Sequence, residues 1–178
     1  MPLWRFLGGT SDYIQVYASG INPDQPQDKV AECQSEGYTS FKLKVGFGQE
    51  KDIENLEAVR QEFGHELQLM IDANQAWTLD EACQLAPMLD KYQLSWLEEP
   101  LRADRPLTEW VMLGQHCATP LAAGENVTGK AAFAAMLDLT PVAIAQPDIA
   151  KWGGISGCWE VIQLIQLKGR QYHPHYLG

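Results

Sequence analysis

The chain has 178 residues, a length suited to one domain or to part of a larger one. Hydrophobic residues make up 46%, enough to build a sizeable core, and the net charge of −10 argues against nucleic acid or an anionic membrane surface as partner, since both call for basic patches. No apolar run approaches the roughly 18 residues of a membrane span, and the N-terminal MPLWRFLGG lacks the apolar stretch of a secretory signal. Cys33, Cys83, Cys117 and Cys158 are scattered without a CxxC, so they read as reduced thiols filling the core of a cytoplasmic protein.

In chain order, YIQVYAS (residues 13–19) has the β-branched and aromatic content of a strand, and a Pro-rich turn leads into a helix that stops near Gly37. SFKLKV alternates with period two and is broken by Gly46 and Gly48. Residues 49–63 read as an amphipathic helix with Ile53, Leu56 and Val59 on one face, closed by Gly64. ELQLMID is a strand. Thr78 followed by Glu81 is a capping-box pattern for a helix running to about Tyr92. LSWLE, PLAAGE, PVAIAQ and RQYHPHY are further strands, separated by helices over residues 106–117, 130–138 and 155–168. The expectation is seven strands alternating with six helices, hence parallel strands joined by right-handed crossovers.

Five of these strands end in Lys44, Asp72, Glu98, Glu125 and Asp148, and a sixth ends in His175, at separations of 28, 26, 27, 23 and 27 residues. That length holds one strand, one helix and two loops. Ionisable groups at nearly every strand end favour a (β/α)8 TIM barrel over an open doubly wound sheet, in which they would cluster at the point where strand order reverses. No GxGxxG follows the first strand. The sequence stops after strand seven, so the expected fold is an incomplete barrel with two unpaired edges.

Lys42 and Lys44 share one face of their strand, which points both ammonium groups into the barrel and predicts lowered pKa values suited to general-base work. The competing reading is a solvent-facing edge strand with ordinary lysines. Asp72 and Asn74 also share a face, whereas the adjacent Glu98 and Glu99 should point to opposite faces. Asp72, Glu98 and Glu125 bring one carboxylate from each of three consecutive strand ends, and their mutual repulsion calls for a hard divalent cation, Mg²⁺. Asp148 and His175 lie on neighbouring strands, where an Asp orients a His and raises its basicity; His173, on the same face as His175, is an alternative partner. Lys151 is a further basic candidate. Gly153 and Gly154 suit a tight loop into the next helix, while His65 and His116 read as surface residues.

FKLKVG, IDANQAW, WLEEP, AAGEN, QPDIAKWGGIS and HPHYLG, in this order and spacing, resemble the enolase superfamily, specifically the mandelate racemase-like branch of the mandelate racemase/muconate lactonizing group. The resemblance spans the chain and implies a C-terminal barrel domain over residues 1–178. It implies that Asp72, Glu98 and Glu125 bind Mg²⁺, that Lys44 and His175 (with Asp148) are bases on opposite faces of the substrate, and that Lys42 and Asn74 meet the substrate carboxylate and the oxygens of the metal site. Such proteins abstract the proton α to a carboxylate, Mg²⁺ stabilising the enediolate that forms. The Asp–His pair favours dehydration of an aldonic or aldaric acid. Racemisation or epimerisation of a 2-hydroxy acid is the alternative, and a non-catalytic remnant associating through barrel edges is a third. Relative to the family plan, strand eight and the N-terminal α+β capping domain are missing from this sequence. Little turnover is therefore expected from the chain alone, with a homo-oligomer or a complementing fragment as partner.

Overall fold

A computed structural model describes residues 1–176; Leu177 and Gly178, the end of the HPHYLG run, lie outside the described residues. Seven strands, β1 (Ala18–Ile21), β2 (Ser40–Lys44), β3 (Gln68–Asp72), β4 (Leu97–Glu98), β5 (Leu121–Ala123), β6 (Val142–Ala145) and β7 (Gln171–Tyr172), form one sheet. They stand in sequential order and every neighbouring pair is parallel. The crossovers carry α2 (Pro26–Ser35), α3 (Gln49–Phe63), α4 (Leu79–Leu89), α5 (Leu107–Gly114), α6 (Lys130–Leu139) and α7 (Gly154–Leu167). Sequential order without reversal is the wall of a (β/α)8 barrel rather than a doubly wound sheet. Among the described residues β1 and β7 do not pair with each other, so the wall is open and the barrel partial.

Period-two alternation gives the sheet two different faces. Phe41, Leu43, Leu69, Ile71, Leu97 and Leu121 pack outward against helix residues such as Leu56, Val59 and Ala82 in one large core. Burying each such side chain contributes about 1.5–3 kcal/mol. Met70, Trp96, Ala122 and Ile144 form a smaller cluster on the inner face, with Tyr17 packed against it.

Three local expectations need correction. The first strand is Ala18–Ile21, not residues 13–19: Tyr13, Ile14 and Val16 are exposed, so the β-branched run before Ala18 has no neighbour to pack on. A seventh helix, α1 (Leu3–Phe6), precedes the sheet. The helix after Thr78 ends at Leu89 and tightens into a 3-10 turn over Asp90–Tyr92. The capping box itself is present, with Thr78 and Glu81 bonded reciprocally.

The buried side of α3 is more polar than its pattern suggests. It includes Asp52, Asn55 and Arg60 beside Leu56 and Val59, whereas Ile53 is only partly buried. Asp52 accepts the backbone N–H groups of Gly46 (2.8 Å) and Phe47 (3.2 Å). Arg60 donates to the carbonyls of Tyr92, Gly64, Leu67 and Gln93 at 2.8–3.1 Å. These bonds satisfy loop backbone that would otherwise be buried without partners.

Candidate active site

Strand register brings the ionisable residues together at the C-terminal edge of the sheet. Lys44 pairs with Asp72 across β2 and β3, and Asp72 with Glu98 across β3 and β4. Lys44 Nζ donates to Asp72 Oδ2 (2.7 Å) and to Asn74 Oδ1 (2.6 Å), and the Asn74 backbone N–H donates to Asp72 Oδ1 at 2.8 Å. Lys42, buried on the same inner face, forms an ion pair with Glu98 Oε1 and stands 3.7 Å from Asp72 Oδ2. Glu98 Oε2 accepts N–H bonds from Trp96 Nε1 (3.0 Å) and Gln146 Nε2 (2.6 Å).

A second group forms beyond β5. Glu125 Oε2 is 3.0 Å from His175 Nε2, and Glu125 Oε1 is 3.0 Å from Lys151 Nζ. His175 Nδ1 meets Asp148 Oδ2 at 2.6 Å, and the backbones of Asp148 and His175 form a parallel bridge that extends the β6–β7 pairing. Asp148 Oδ1 accepts the N–H groups of Ala150 and Lys151. Burial opposes ionisation of Asp148, but the bonds from His175 and from these two backbone groups outweigh it and hold its pKa below the usual value. Gly124 shapes this end of the site: it adopts φ +143°, and an added Cβ would lie 2.7 Å from the Gln146 backbone nitrogen. Only glycine permits that approach of β5 to β6.

The expected fall in the Lys42 pKa does not occur. Burial does push it down, but the facing Glu98, Tyr17 and Asp72 groups push harder and the net shift is upward. Two lysines on one face were expected to repel; instead, each faces a carboxylate. Glu98 and Glu99, expected on opposite faces, are both buried. β4 ends at Glu98, and Glu99 turns into a left-handed conformation (φ +40°). Glu99 accepts Asn126 Nδ2 on both oxygens. Burial first, then the charge of Glu125, with smaller contributions from Asp72 and Glu98, pushes the Glu99 carboxyl up to about 7. His173 is not the partner of Asp148; its ring lies against Trp96, centroids 5.0 Å apart.

Sequence reasoning missed Gln146 and the Asn126 partner of Glu99. The Gln two residues before Asp148 and the Asn of AAGEN were the available signals, but neither reveals a partner without the strand register being known.

Asp72, Glu98 and Glu125 supply only carboxylate oxygens, the hard donors that Mg²⁺ takes. All three lie close enough to Glu99 to push its carboxyl upward. Among the described residues no three His, Cys, Asp or Glu side chains converge as a ligand shell. Each of the three carboxylates is instead engaged by a lysine: Asp72 by Lys44, Glu98 by Lys42 and Glu125 by Lys151. By donor type and by placement on successive strands, the residues fit the ion.

Parallel strands in sequential order with an acidic row at their C-terminal edge define a (β/α)-barrel protein with its candidate site at the strand ends. The family model described as enolase C-terminal domain-like matches residues 26–178, and the chain belongs to that family, in the mandelate racemase/muconate lactonizing group of the enolase superfamily. A crystal structure of a mandelate racemase/muconate lactonizing enzyme from Bordetella bronchiseptica superimposes with a TM-score of 0.96 at 53% identity, covering 99% of this chain and 49% of that one. L-talarate/galactarate dehydratase from Salmonella typhimurium, solved with Mg and L-lyxarohydroxamate, gives a TM-score of 0.91 at 32% identity, covering 98% of this chain and 46% of that one. D-galactarolactone cycloisomerase from Agrobacterium fabrum is 33% identical over 97% of this chain and 47% of its own length. The chain therefore spans about half the length of the relatives that it matches.

Proposed function

We propose that the site belongs to a Mg²⁺-dependent dehydratase of acid sugars that removes the proton α to a carboxylate. The observation that carries this reading is the placement of two basic groups at opposite ends of an acidic row: Lys44 against Asp72 at one end, His175 against Glu125 at the other. Asp72, Glu98 and Glu125 would hold the ion. Bound there, Mg²⁺ supplies the positive charge that makes an α-proton acidic enough to remove. Lys42 and Asn74 lie beside Asp72 and would meet the substrate carboxylate and nearby oxygens. Lys44 and His175 would handle protons on opposite faces of the α-carbon. Asp148 fixes the His175 ring through Nδ1, which leaves Nε2 aimed at Glu125 and the site. With a β-hydroxyl as leaving group, His175 would protonate it as it departs.

The Mg-bound dehydratase relative supports the acid-sugar class. The same opposed pair of bases would also serve racemisation of a 2-hydroxy acid, in which the second base returns the proton. On this reading the chain is the barrel part of such an enzyme, and among the described residues the open wall between β1 and β7 leaves the site incompletely enclosed. The chain alone should thus bind Mg²⁺ but show little turnover. The test is Mg²⁺ titration calorimetry on the parent chain and on Asp72→Asn, followed by proton exchange at the α-carbon of galactarate in D₂O. Mg²⁺ binding that Asp72→Asn abolishes is the expected result. Absence of any Mg²⁺ binding, or binding indifferent to Asp72, would sink the reading, and product analysis of any exchange separates dehydration from racemisation.

A further inference from the structure

Glu98 is held from three sides. Lys42 takes Oε1, while Trp96 Nε1 and Gln146 Nε2 both donate to Oε2. All four side chains are buried, and Gln146 is only 2% exposed. An amide beside a carboxylate must present its NH₂ end, because its oxygen would meet like charge. That fixes which way Gln146 points and turns its Oε1 away from Glu98. Among the described residues Gln146 Oε1 has no hydrogen-bond partner. A buried acceptor without a donor costs about 1–3 kcal/mol, so a donor is called for in this layer.

The β6–β7 register brings a histidine to the neighbouring position. Ala145 pairs with Tyr172, and the His173 backbone N–H donates to the Ala145 carbonyl at 3.1 Å. Gln146 and His173 are therefore the next rung, and Asp148 and His175 the bridge above it. The His173 ring rests on Trp96, the same indole that donates to Glu98. Burial lowers the His173 pKa and so favours the neutral ring, which has one ring N–H to give.

We propose that Gln146 is a positioning residue for Glu98, with its amide held in orientation by the ring N–H of His173 through one bridging water. The inference rests on the reading of Glu98 as a metal-site carboxylate. The rung below the site then repeats the rung above it: an acceptor just past β6 and a histidine just past β7, one pair steering a base and the other steering a carboxylate.

The test uses the full chain with Mg²⁺ as the probe. Gln146→Met keeps the volume but removes both polar ends. Mg²⁺ affinity measured by calorimetry should fall about 10–100-fold, the usual effect of losing an outer hydrogen-bond partner of a ligand. The variant should still melt cooperatively, because Glu98 keeps its bonds from Lys42 and Trp96. A second, metal-free arm follows the Gln146 side-chain amide by NMR. Its two protons should be distinct and slow to exchange in the parent, should shift in His173→Phe, and should recover in His173→Asn, which restores an N–H donor. Parent-like Mg²⁺ affinity in Gln146→Met, or amide signals unmoved by His173→Phe, overturns the proposal. If the parent binds no Mg²⁺, the proposed function fails, and the NMR arm still decides the role of His173 and Gln146.

Discussion

Asp148 and His175 meet twice: their backbones form an isolated parallel bridge, and their side chains share a hydrogen bond of 2.6 Å. The side-chain contact is thus fixed by the sheet itself rather than by a loop, which suits a group that must hold one ring orientation.

This pair carries a pH prediction. The Asp148 pKa is lowered in the folded chain, from about 3.9 in an unfolded one. Its stabilisation is therefore complete above the unfolded value and is lost as pH falls through the folded one. Asp148→Asn should be less stable than the parent at pH 7 by about 1–3 kcal/mol, and the gap should narrow as pH drops below about 4. Melting temperatures from acid to neutral pH read this directly; a gap that stays constant across the range would refute it.

Arg60 is expected to be the most sensitive surface-to-core tether. Its guanidinium serves four backbone carbonyls, so Arg60→Ala strands several buried acceptors at once. A loss of about 3 kcal/mol or more in urea unfolding is expected. Arg60→Lys should recover only part of it, because an ammonium cannot present the same planar fork of donors.

Thr78→Ala should cost about 1 kcal/mol by removing the cap of α4, and Thr78→Ser should restore it. Equal stability of the Ala and Ser variants would show that the cap contributes nothing.

The cysteines should behave as unreactive thiols. All four are free, and burial, aided by the charge of Asp90, pushes Cys117 up to about 12. At pH 8 Cys117 stays protonated and a poor nucleophile. Reaction with a disulfide reagent should be slow in the folded chain, should release four equivalents after unfolding, and should not change with prior reduction.

The helices and most strands were legible because their patterns are local. α3 was placed over residues 49–63, where it lies, and the Thr78–Glu81 cap needed only four residues to be read. Sequential strand order followed from alternation plus ionisable ends, and Asp148 with His175 followed from spacing. What escaped depends on distant neighbours. The run from Tyr13 to Val16 looks like a strand but has no strand or helix to pack on. The Lys42 pKa was read with the wrong sign because two lysines were weighed against each other, whereas each faces an acid from another strand. Gln146 sits on a face that only the β5–β6 register defines.

The close approach at Gly124 has a consequence for how such a site can vary. Exposed loops can lengthen, and surface charge can change, without moving the acids and bases. A single methyl group at position 124 would press on the Gln146 backbone. That would wedge apart the strand leading to Glu125 and the strand leading to Asp148. Position 124 therefore acts as a shared pivot: one small substitution there would misalign a carboxylate and a base together, although the glycine itself offers neither charge nor hydrogen to the chemistry.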